Sequence, residues 1–219
     1  MQIVPAILSR SPEEFVVDIK KLSPYFTSFQ IDIADGILVP GKTATIEDLT
    51  PHLLEYTNTT FDFHLMVKDY GKVINYLRVL ASKIKIGTVL VHHKAGPDKG
   101  LFISQSDSFT IGLVINPDEQ VKKLSTYYSF EIMRVIQIMS VEPGAQGQGF
   151  IKETLNKIEQ LRLLNYRNRI FLDGGINNLT LPIILSQHYL PDVLAVGSYF
   201  TKAVDLKMQV EGFKKILPV

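Results

Sequence analysis

The sequence contains no cysteine in its 219 residues. This absence excludes disulfide bonds, cysteine nucleophiles and metal sites built from thiolates, and it is compatible with a reducing cytoplasm. No run approaches the roughly 18 continuous apolar residues of a membrane span, and the N-terminus has neither the basic segment nor the long apolar core of an export signal. We therefore predict a cytoplasmic protein that does not associate with a membrane.

The sequence also lacks an excess of charge of either sign. The formal net charge is only +1, so neither a nucleic-acid-binding surface nor a polyacidic partner is indicated. With 46% hydrophobic and 21% charged residues, the composition is that of a globular protein. A chain of this length can form one large α/β barrel, and no linker or composition break divides it. We predict a single domain over residues 1–219.

Eight short apolar runs rich in β-branched residues predict eight strands. They are Ile3 to Leu8, Phe29 to Ile33, Phe61 to Val67, Thr88 to His92, Thr110 to Ile115, Val135 to Val141, Arg169 to Leu172 and Val193 to Val196. Helical spacing predicts helices at Pro12 to Leu22, Tyr70 to Ser82, Glu119 to Tyr127, Ile151 to Leu164, Leu179 to Ser186 and Lys202 to Ile216. This alternation predicts a closed (β/α)8, or TIM, barrel. An open doubly wound sheet is the main alternative, but the first strand-to-helix connection lacks the G-x-G-x-x-G fingerprint.

Two of the predicted strands carry polar side chains on one face. In the second strand, Gln30, Asp32 and Ala34 share a face whose opposite side is apolar, and in the third strand Asp62 and His64 take the corresponding positions. Barrel interiors are normally filled by branched apolar side chains. Polar groups in a barrel interior need hydrogen bonds, opposite charges or a ligand. The alternative to a functional site is a purely structural cluster of polar side chains that bond to one another and fill the barrel.

Acidic residues followed by glycine end two distant strands. Asp32 closes the second strand, and Asp173 closes the seventh before a pair of glycines. Because parallel strands deliver their last residues to one end of a barrel, we predict that the two carboxylates face each other across one small substrate.

Glycine-rich turns follow three successive strands and predict a phosphate site. Glycines let backbone N–H groups approach an anion, and the loops after the last strands of such barrels commonly hold phosphate. The predicted phosphate-binding residues are Gly144, Gly147, Gly174, Gly175, Gly197 and Ser198.

Six motifs occur in the order found in one enzyme family. They are Pro5-Ala6-Ile7-Leu8-Ser9, Asp32-x-x-Asp35-Gly36 with Val39-Pro40, Asp62-x-His64-Leu65-Met66, Met139-Ser140-Val141-Glu142-Pro143-Gly144, Asp173-Gly174-Gly175 and Val196-Gly197-Ser198. In these motifs, which span nearly the full chain, the sequence resembles the ribulose-phosphate 3-epimerase family. The resemblance implies a phosphate-binding (β/α)8 barrel, a small phosphorylated sugar as substrate, a divalent metal and a homo-oligomer.

The resemblance also implies residue roles. Members of that family invert C3 of a ketose phosphate through an enediolate, with two aspartates as acid and base and with a metal held by these aspartates and two histidines. Asp32 and Asp173 match the aspartates, and His64 matches one histidine, but Gln30 stands at the other histidine position. An amide oxygen is a weaker and harder donor than imidazole, so among Zn, Fe, Mn and Mg the preference should move towards Mn or Mg. Met66 and Met139 are predicted as apolar walls.

Further departures from the family pattern surround the same centre. Ala6 replaces serine, Ala34 replaces methionine, Lys94 replaces glutamate, and Ala145-Gln146 replaces Phe-Gly. Two alternatives therefore stay open: a non-catalytic phosphosugar-binding paralogue that has lost its metal, and an epimerase of a 2-ketohexose 6-phosphate. His92 is open as a replacement metal ligand. Related decarboxylases and aldol lyases carry Asp-x-Lys on the second strand, and this chain has no lysine there.

Overall fold

The computed structural model describes residues 1–103, 108–145 and 147–217. Eight parallel strands form a closed barrel in sequence order, as predicted. The strands are β1 (Gln2–Ile7), β2 (Ser28–Ala34), β3 (Thr60–Met66), β4 (Lys85–His92), β5 (Thr110–Ile115), β6 (Val135–Met139), β7 (Arg169–Asp173) and β8 (Val193–Val196). Because all strands are parallel, their carboxyl ends open onto one mouth, and the polar residues that end them meet there.

Helices cover the outside of the barrel. In the described residues they are α1 (Pro12–Leu22), α2 (Ile46–Leu53), α3 (Tyr70–Leu80), α4 (Gly100–Ile103), α5 (Val121–Tyr127), α6 (Asn156–Leu163), α7 (Leu181–Leu185), α8 (Ser198–Thr201) and α9 (Leu206–Ile216). A 3₁₀ turn at Lys152–Leu155 leads into α6. None of the helices in this part of the chain has the length and apolar character needed to cross a membrane.

Three features of the helical layer correct the sequence prediction, and the first is the short helix α4, where the helical spacing predicted none. The pattern missed α2, which contains Pro51 but begins with a capping box between Thr45 and Asp48. The single helix predicted from Lys202 to Ile216 is wrong at its start, because the chain leaves α8 and begins α9 only after Asp205, whose carboxylate caps the backbone N–H of Met208 at 2.9 Å.

The strand faces segregate as the alternation predicts. Outward residues such as Phe29, Ile31 and Ile33 pack with the helices in one continuous apolar core. Inside the barrel, a smaller apolar cluster includes Val4 and Leu90 and extends to Met139 and Val141, which line the cavity at the mouth. The polar residues of β2 and β3 share the barrel interior with this apolar cluster.

The side chain of Asp35 links two loops at the mouth of the barrel. The loop after β2 is held by Asp35, whose carboxylate accepts backbone hydrogen bonds from Ile37, Leu38 and Lys68 at 2.7–2.9 Å. These bonds outweigh the raising effect of burial and lower the pKa of Asp35. Asp35 is thus a loop-building residue.

Candidate active site

Three ionisable side chains converge at the mouth. Asp32 and His64 are register partners on β2 and β3, and Asp173 ends β7 across the barrel. All three are buried, and one potential ligand atom of each lies within 4.8 Å of the others. The structure therefore brings together Asp32, His64 and Asp173, which we predicted from the sequence as metal ligands. Asp32 and Asp173 are also the predicted acid and base.

His64 faces both carboxylates with the same ring nitrogen. Its Nδ1 lies 3.1 Å from Asp32 Oδ1 and 3.5 Å from Asp173 Oδ2. Burial lowers the pKa of His64, but the hydrogen bond and charge of Asp32 and the charge of Asp173 outweigh it and leave this pKa raised. Burial first, and then the negative charge of Asp32, raise the pKa of Asp173 to about 7.

Gln30 bridges the two carboxylates. Its side-chain Nε2 donates to Asp32 Oδ1 at 3.0 Å and to Asp173 Oδ2 at 2.7 Å, and it lies 3.5 Å from His64 Nδ1. Its Oε1 is buried and has no hydrogen-bond partner among the described residues. The amide group therefore occupies the fourth corner of the cluster, at the position where the family pattern has a histidine.

A second glutamine, Gln137, also reaches the cluster, and the sequence reasoning missed it. Its Nε2 donates to Asp173 Oδ2 at 3.2 Å, and its Oε1 also lacks a partner in the described part of the chain. The available signal was its position on β6, two residues before Met139 and on the same inward face. In the described residues, no hydrogen bond reaches Asp32 Oδ2 or Asp173 Oδ1, so each carboxylate has one oxygen held in the cluster and one left for a ligand.

The far side of His64 is occupied by His92. The two Nε2 atoms lie 2.7 Å apart, and His92 Nδ1 lies 2.9 Å from Asn116 Oδ1. Burial, and then the neighbouring His64, lower the pKa of His92 well below its usual value. His92 therefore contacts His64 from behind and does not point at the carboxylates, so it does not replace the missing family histidine. Asn116 is a further residue that the sequence reasoning missed, because it follows the apolar strand β5 with no motif around it.

Asp62, the other inward carboxylate, is turned away from the cluster. It accepts the backbone N–H of Thr88 at 2.7 Å, and Gly87 leaves the space for it, since a Cβ there would lie 2.5 Å from Asp62 Oδ1. Burial raises the pKa of Asp62 to about 6, against the lowering effect of the Thr88 bond. This residue supports the junction of β3 and β4.

The six predicted phosphate-binding residues all line one cavity together with Asp32, His64 and Asp173. Gly144, Gly147, Gly174 and Gly175 have positive φ angles between 63° and 118°, a backbone conformation that favours glycine. Ser140 ties the strand ends together, because its hydroxyl donates to the backbone oxygens of Asp173 at 3.0 Å and Gly174 at 2.7 Å. The cradle is thus built from backbone and is continuous with the carboxylate cluster.

The cavity itself is small, with a volume of about 50 Å³. Met66 and Met139 line it as predicted, and so does Ala6. Beside it lies a groove of about 640 Å³ that shares Leu8, Gly144 and Ala145 with the cavity. Three other residues depart from the family pattern. Ala34 packs against Val39 and Met66, Lys94 is exposed, and Gln146 lies outside the described residues.

Replacing Gly174 by alanine should destabilise the fold by roughly 1–3 kcal/mol, because residues forced into a sparsely populated backbone conformation cost about that much. Gly174 has φ 118°, and an added Cβ would lie 2.6 Å from Val141 Cγ2 and 2.9 Å from the Val141 backbone nitrogen. Thermal unfolding measures the change. Gly212→Ala in α9 is the control, since nothing lies within 4 Å of its added Cβ; if both variants unfold at the same temperature, Gly174 is not constrained as described.

The donor set suits a divalent metal. Three buried side chains already offer a nitrogen and two carboxylate oxygens to one point, which is the number of protein ligands in many catalytic metal sites. The orphaned oxygen of Gln30 could supply a fourth, because a half-turn of its amide would exchange Nε2 for Oε1 at the centre of the cluster. Asp32, His64 and Asp173, with Gln30, would therefore hold the ion.

A closed barrel with buried carboxylates and glycine turns at the carboxyl ends of its strands has the architecture of a (β/α)8-barrel enzyme. The chain belongs to the ribulose-phosphate 3-epimerase family, a family of isomerases: residues 2–201 match it. The chain is 26% identical to ribulose-phosphate 3-epimerase of Helicobacter pylori, with 99% of this chain and 98% of the relative covered. It is 30% identical to the enzyme of that name from Escherichia coli K12, over 81% of this chain and 80% of the relative.

Solved structures agree on the fold. 3-Hexulose-6-phosphate synthase of Salmonella typhimurium aligns with a TM-score of 0.66 at 14% identity, over 99% of this chain and 98% of that one. A tryptophan synthase structure from Pyrococcus furiosus aligns with a TM-score of 0.69 at 12% identity, covering 98% of each chain. At these identities the likeness supports the barrel and says nothing of the reaction.

Proposed function

We propose that this protein interconverts ribulose 5-phosphate and xylulose 5-phosphate by inverting C3. The observation that carries the proposal is the placement of Asp32 and Asp173 in the lining of one cavity, each with one oxygen held in the cluster and one left for a ligand. Inversion of a carbon next to a carbonyl needs one group to remove its proton on one face and another to return a proton on the other.

The two carboxyl groups are suited to this exchange. One of them takes the C3 proton and the C2 carbonyl becomes an enediolate; the other then delivers a proton to the opposite face of C3. Because the pKa of Asp173 is raised to about 7, that group can hold or release a proton at neutral pH. A bound divalent cation would supply positive charge that stabilises the negative oxygens of the enediolate.

The substrate phosphate would lie on the glycine turns. Backbone N–H groups near Gly174, Gly175 and Gly197 can approach an anion without side chains in the way. Since the cavity is small, a sugar phosphate must extend from it towards the adjoining groove through the boundary shared by Leu8, Gly144 and Ala145. Homo-oligomer formation and a cytoplasmic location stay predictions from the sequence.

Two observations support the two alternative functions. The Gln30 amide ties both carboxylates together at the position where the family pattern has a metal-binding histidine, which supports a phosphosugar-binding protein that has lost catalysis. Ala6 and Ala145 line the cavity with small side chains, which supports a longer 2-ketohexose 6-phosphate as substrate.

The test is to follow ribulose 5-phosphate by proton NMR with metal-stripped protein and after addition of Mn²⁺, Mg²⁺, Fe²⁺ or Zn²⁺. We expect xylulose 5-phosphate to form with at least one metal, and more slowly with metal-stripped protein. A parallel reaction with a 2-ketohexose 6-phosphate distinguishes the substrates. If neither substrate is converted under any condition while calorimetry detects binding of both, the binding-protein alternative replaces the epimerase.

A further inference from the structure

The lining of the cavity lacks a positive charge to match a bound phosphate. Among its lining residues in the described part of the chain there is no lysine or arginine, and Asp32 and Asp173 place two carboxyl groups in it. His64 faces those carboxyl groups. A phosphate ester carries roughly −1.5 to −2 charges at neutral pH, and backbone N–H groups offer it only partial charges. A counter-charge for the phosphate therefore has to come from the adjoining surface.

Lys202 brings such a charge to the boundary between the cavity and the adjoining groove. It lines the groove, and its Nζ lies 3.9 Å from the point where a Cβ on Gly147 would stand. Gly147 lines the cavity and is one of the predicted phosphate-binding residues. Among the described residues, no carboxylate forms an ion pair with the Lys202 ammonium. This ammonium therefore borders the phosphate cradle and is not committed to an acidic side chain there.

The backbone around Lys202 is held on both sides. Its N–H donates to the backbone oxygen of Ser198, another residue of the cradle, at 3.0 Å. The ammonium of Lys21, in α1, donates to the backbone oxygens of Thr201 at 2.9 Å and Ala203 at 2.7 Å. Lys21 thus ties α1 to the residues immediately before and after Lys202. The base of the Lys202 side chain is fixed relative to the cradle, and only its flexible stem has to reach the phosphate.

We propose that Lys202 is a binding residue for the phosphate of the substrate and that Lys21 is a positioning residue that holds the Lys202 backbone in place. The Lys202 ammonium adds a full charge to a cradle built from backbone, and it offsets the repulsion between the phosphate and the carboxylates of the cluster. This inference rests on the proposed function, because it concerns the phosphate of the proposed substrate. Lys202 lies beyond Val196-Gly197-Ser198, the last motif shared with the family, so the resemblance gives it no role.

A binding residue remote from the reacting carbon changes KM more than kcat. The phosphate is attached at C5 and the proposed reaction inverts C3, so the contact with Lys202 is the same in the ground state and the transition state. We expect Lys202→Met to raise KM for ribulose 5-phosphate by roughly 10–100-fold, the range of a hydrogen bond to a charged group, with little change in kcat. Lys202→Arg keeps the charge, and we expect it to return KM towards the native value.

Phosphorus-31 NMR titration with inorganic phosphate probes the same contact without catalysis. We expect the phosphate affinity of metal-stripped protein to fall by roughly 10–100-fold in Lys202→Met. The matched control is Lys42→Met. Lys42 lines the same groove, but its Cβ lies 3.6 Å from the point where a Cβ on Gly36 would stand, in the loop after β2. We expect this control to bind phosphate like the native chain.

The role of Lys21 is tested by a double-mutant cycle. We expect Lys21→Met to weaken phosphate binding less than Lys202→Met does, because the Lys202 ammonium is still present and only its backbone has lost a tether. Since Lys21 acts through Lys202, the double variant should bind phosphate about as tightly as Lys202→Met alone. Losses that simply add would show that Lys21 has a separate, structural effect, and would overturn its positioning role.

Native KM and native phosphate affinity in Lys202→Met would overturn the proposal. Equal losses in Lys202→Met and Lys42→Met would also overturn it, because they would indicate a general effect of charge in the groove. A protein that fails as an epimerase can still lose phosphate affinity with Lys202, whereas an active enzyme whose Lys202→Met variant behaves like the native chain refutes only this inference. A native chain that binds neither inorganic phosphate nor ribulose 5-phosphate contradicts both the inference and the proposed function.

Discussion

Replacing Asp173 by asparagine should reduce the rate of ribulose 5-phosphate epimerisation by about 10²–10⁴-fold, the usual contribution of a positioned acid or base. The substitution keeps an oxygen that can accept from Gln30 and Gln137, which now donate to Asp173 Oδ2 at 2.7 and 3.2 Å. It removes the group that can gain and lose a proton. Initial rates measured by NMR at saturating metal give the effect.

Asp62→Asn is the matched control for this loss. Asp62 is also a buried carboxylate on an inward strand face, but its partner is the backbone N–H of Thr88. Asparagine keeps an acceptor for that bond, so we expect a rate near that of the native chain. A native rate in Asp173→Asn, at full metal occupancy, would remove Asp173 from the mechanism.

Replacing Gln30 by histidine should raise the affinity for Zn²⁺ by roughly 10–100-fold, the order by which well-placed groups around a metal change its binding. Gln30 stands between Asp32, His64 and Asp173, and its Nε2 already lies within 3.5 Å of all three. An imidazole nitrogen at this corner is a stronger ligand for Zn²⁺ than an amide oxygen. Calorimetry and metal analysis of the purified variant measure the change.

Gln137→His separates a fourth ligand from a general effect of an added imidazole. Gln137 is also an inward glutamine with a buried, unpartnered oxygen, but of the three cluster residues it contacts only Asp173. We therefore expect Gln137→His to bind Zn²⁺ less tightly than Gln30→His. Equal affinities in both variants, or no gain in Gln30→His, would show that Gln30 does not occupy a ligand position.

The barrel could be predicted from the sequence because its strands are continuous apolar runs. The strands at Thr110–Ile115 and Val193–Val196 and the first helix at Pro12–Leu22 have the predicted bounds. The start of the last helix could not be placed, because the helical spacing continues back to Lys202 and only the cap at Asp205 marks the true start. Local caps, rather than periodicity, set these boundaries.

The direction in which a site residue points could be predicted from the pattern of its own strand. The contacts between residues on different strands could not. The alternation on β2 indicated that Gln30 and Asp32 point inward. It could not show that the Gln30 amide ties Asp32 to Asp173, because that contact joins residues 143 positions apart. For the same reason His92 was open as a replacement ligand, whereas its ring in fact lies behind His64.

Epimerisation in deuterium oxide tests the two-carboxylate mechanism most directly. One carboxylate removes the C3 proton, and the other delivers a different proton that it has exchanged with solvent, so xylulose 5-phosphate formed at early times should carry deuterium at C3. The remaining ribulose 5-phosphate should still carry its original hydrogen. Product that retains the original hydrogen at C3 would contradict the assignment of Asp32 and Asp173 as separate acid and base.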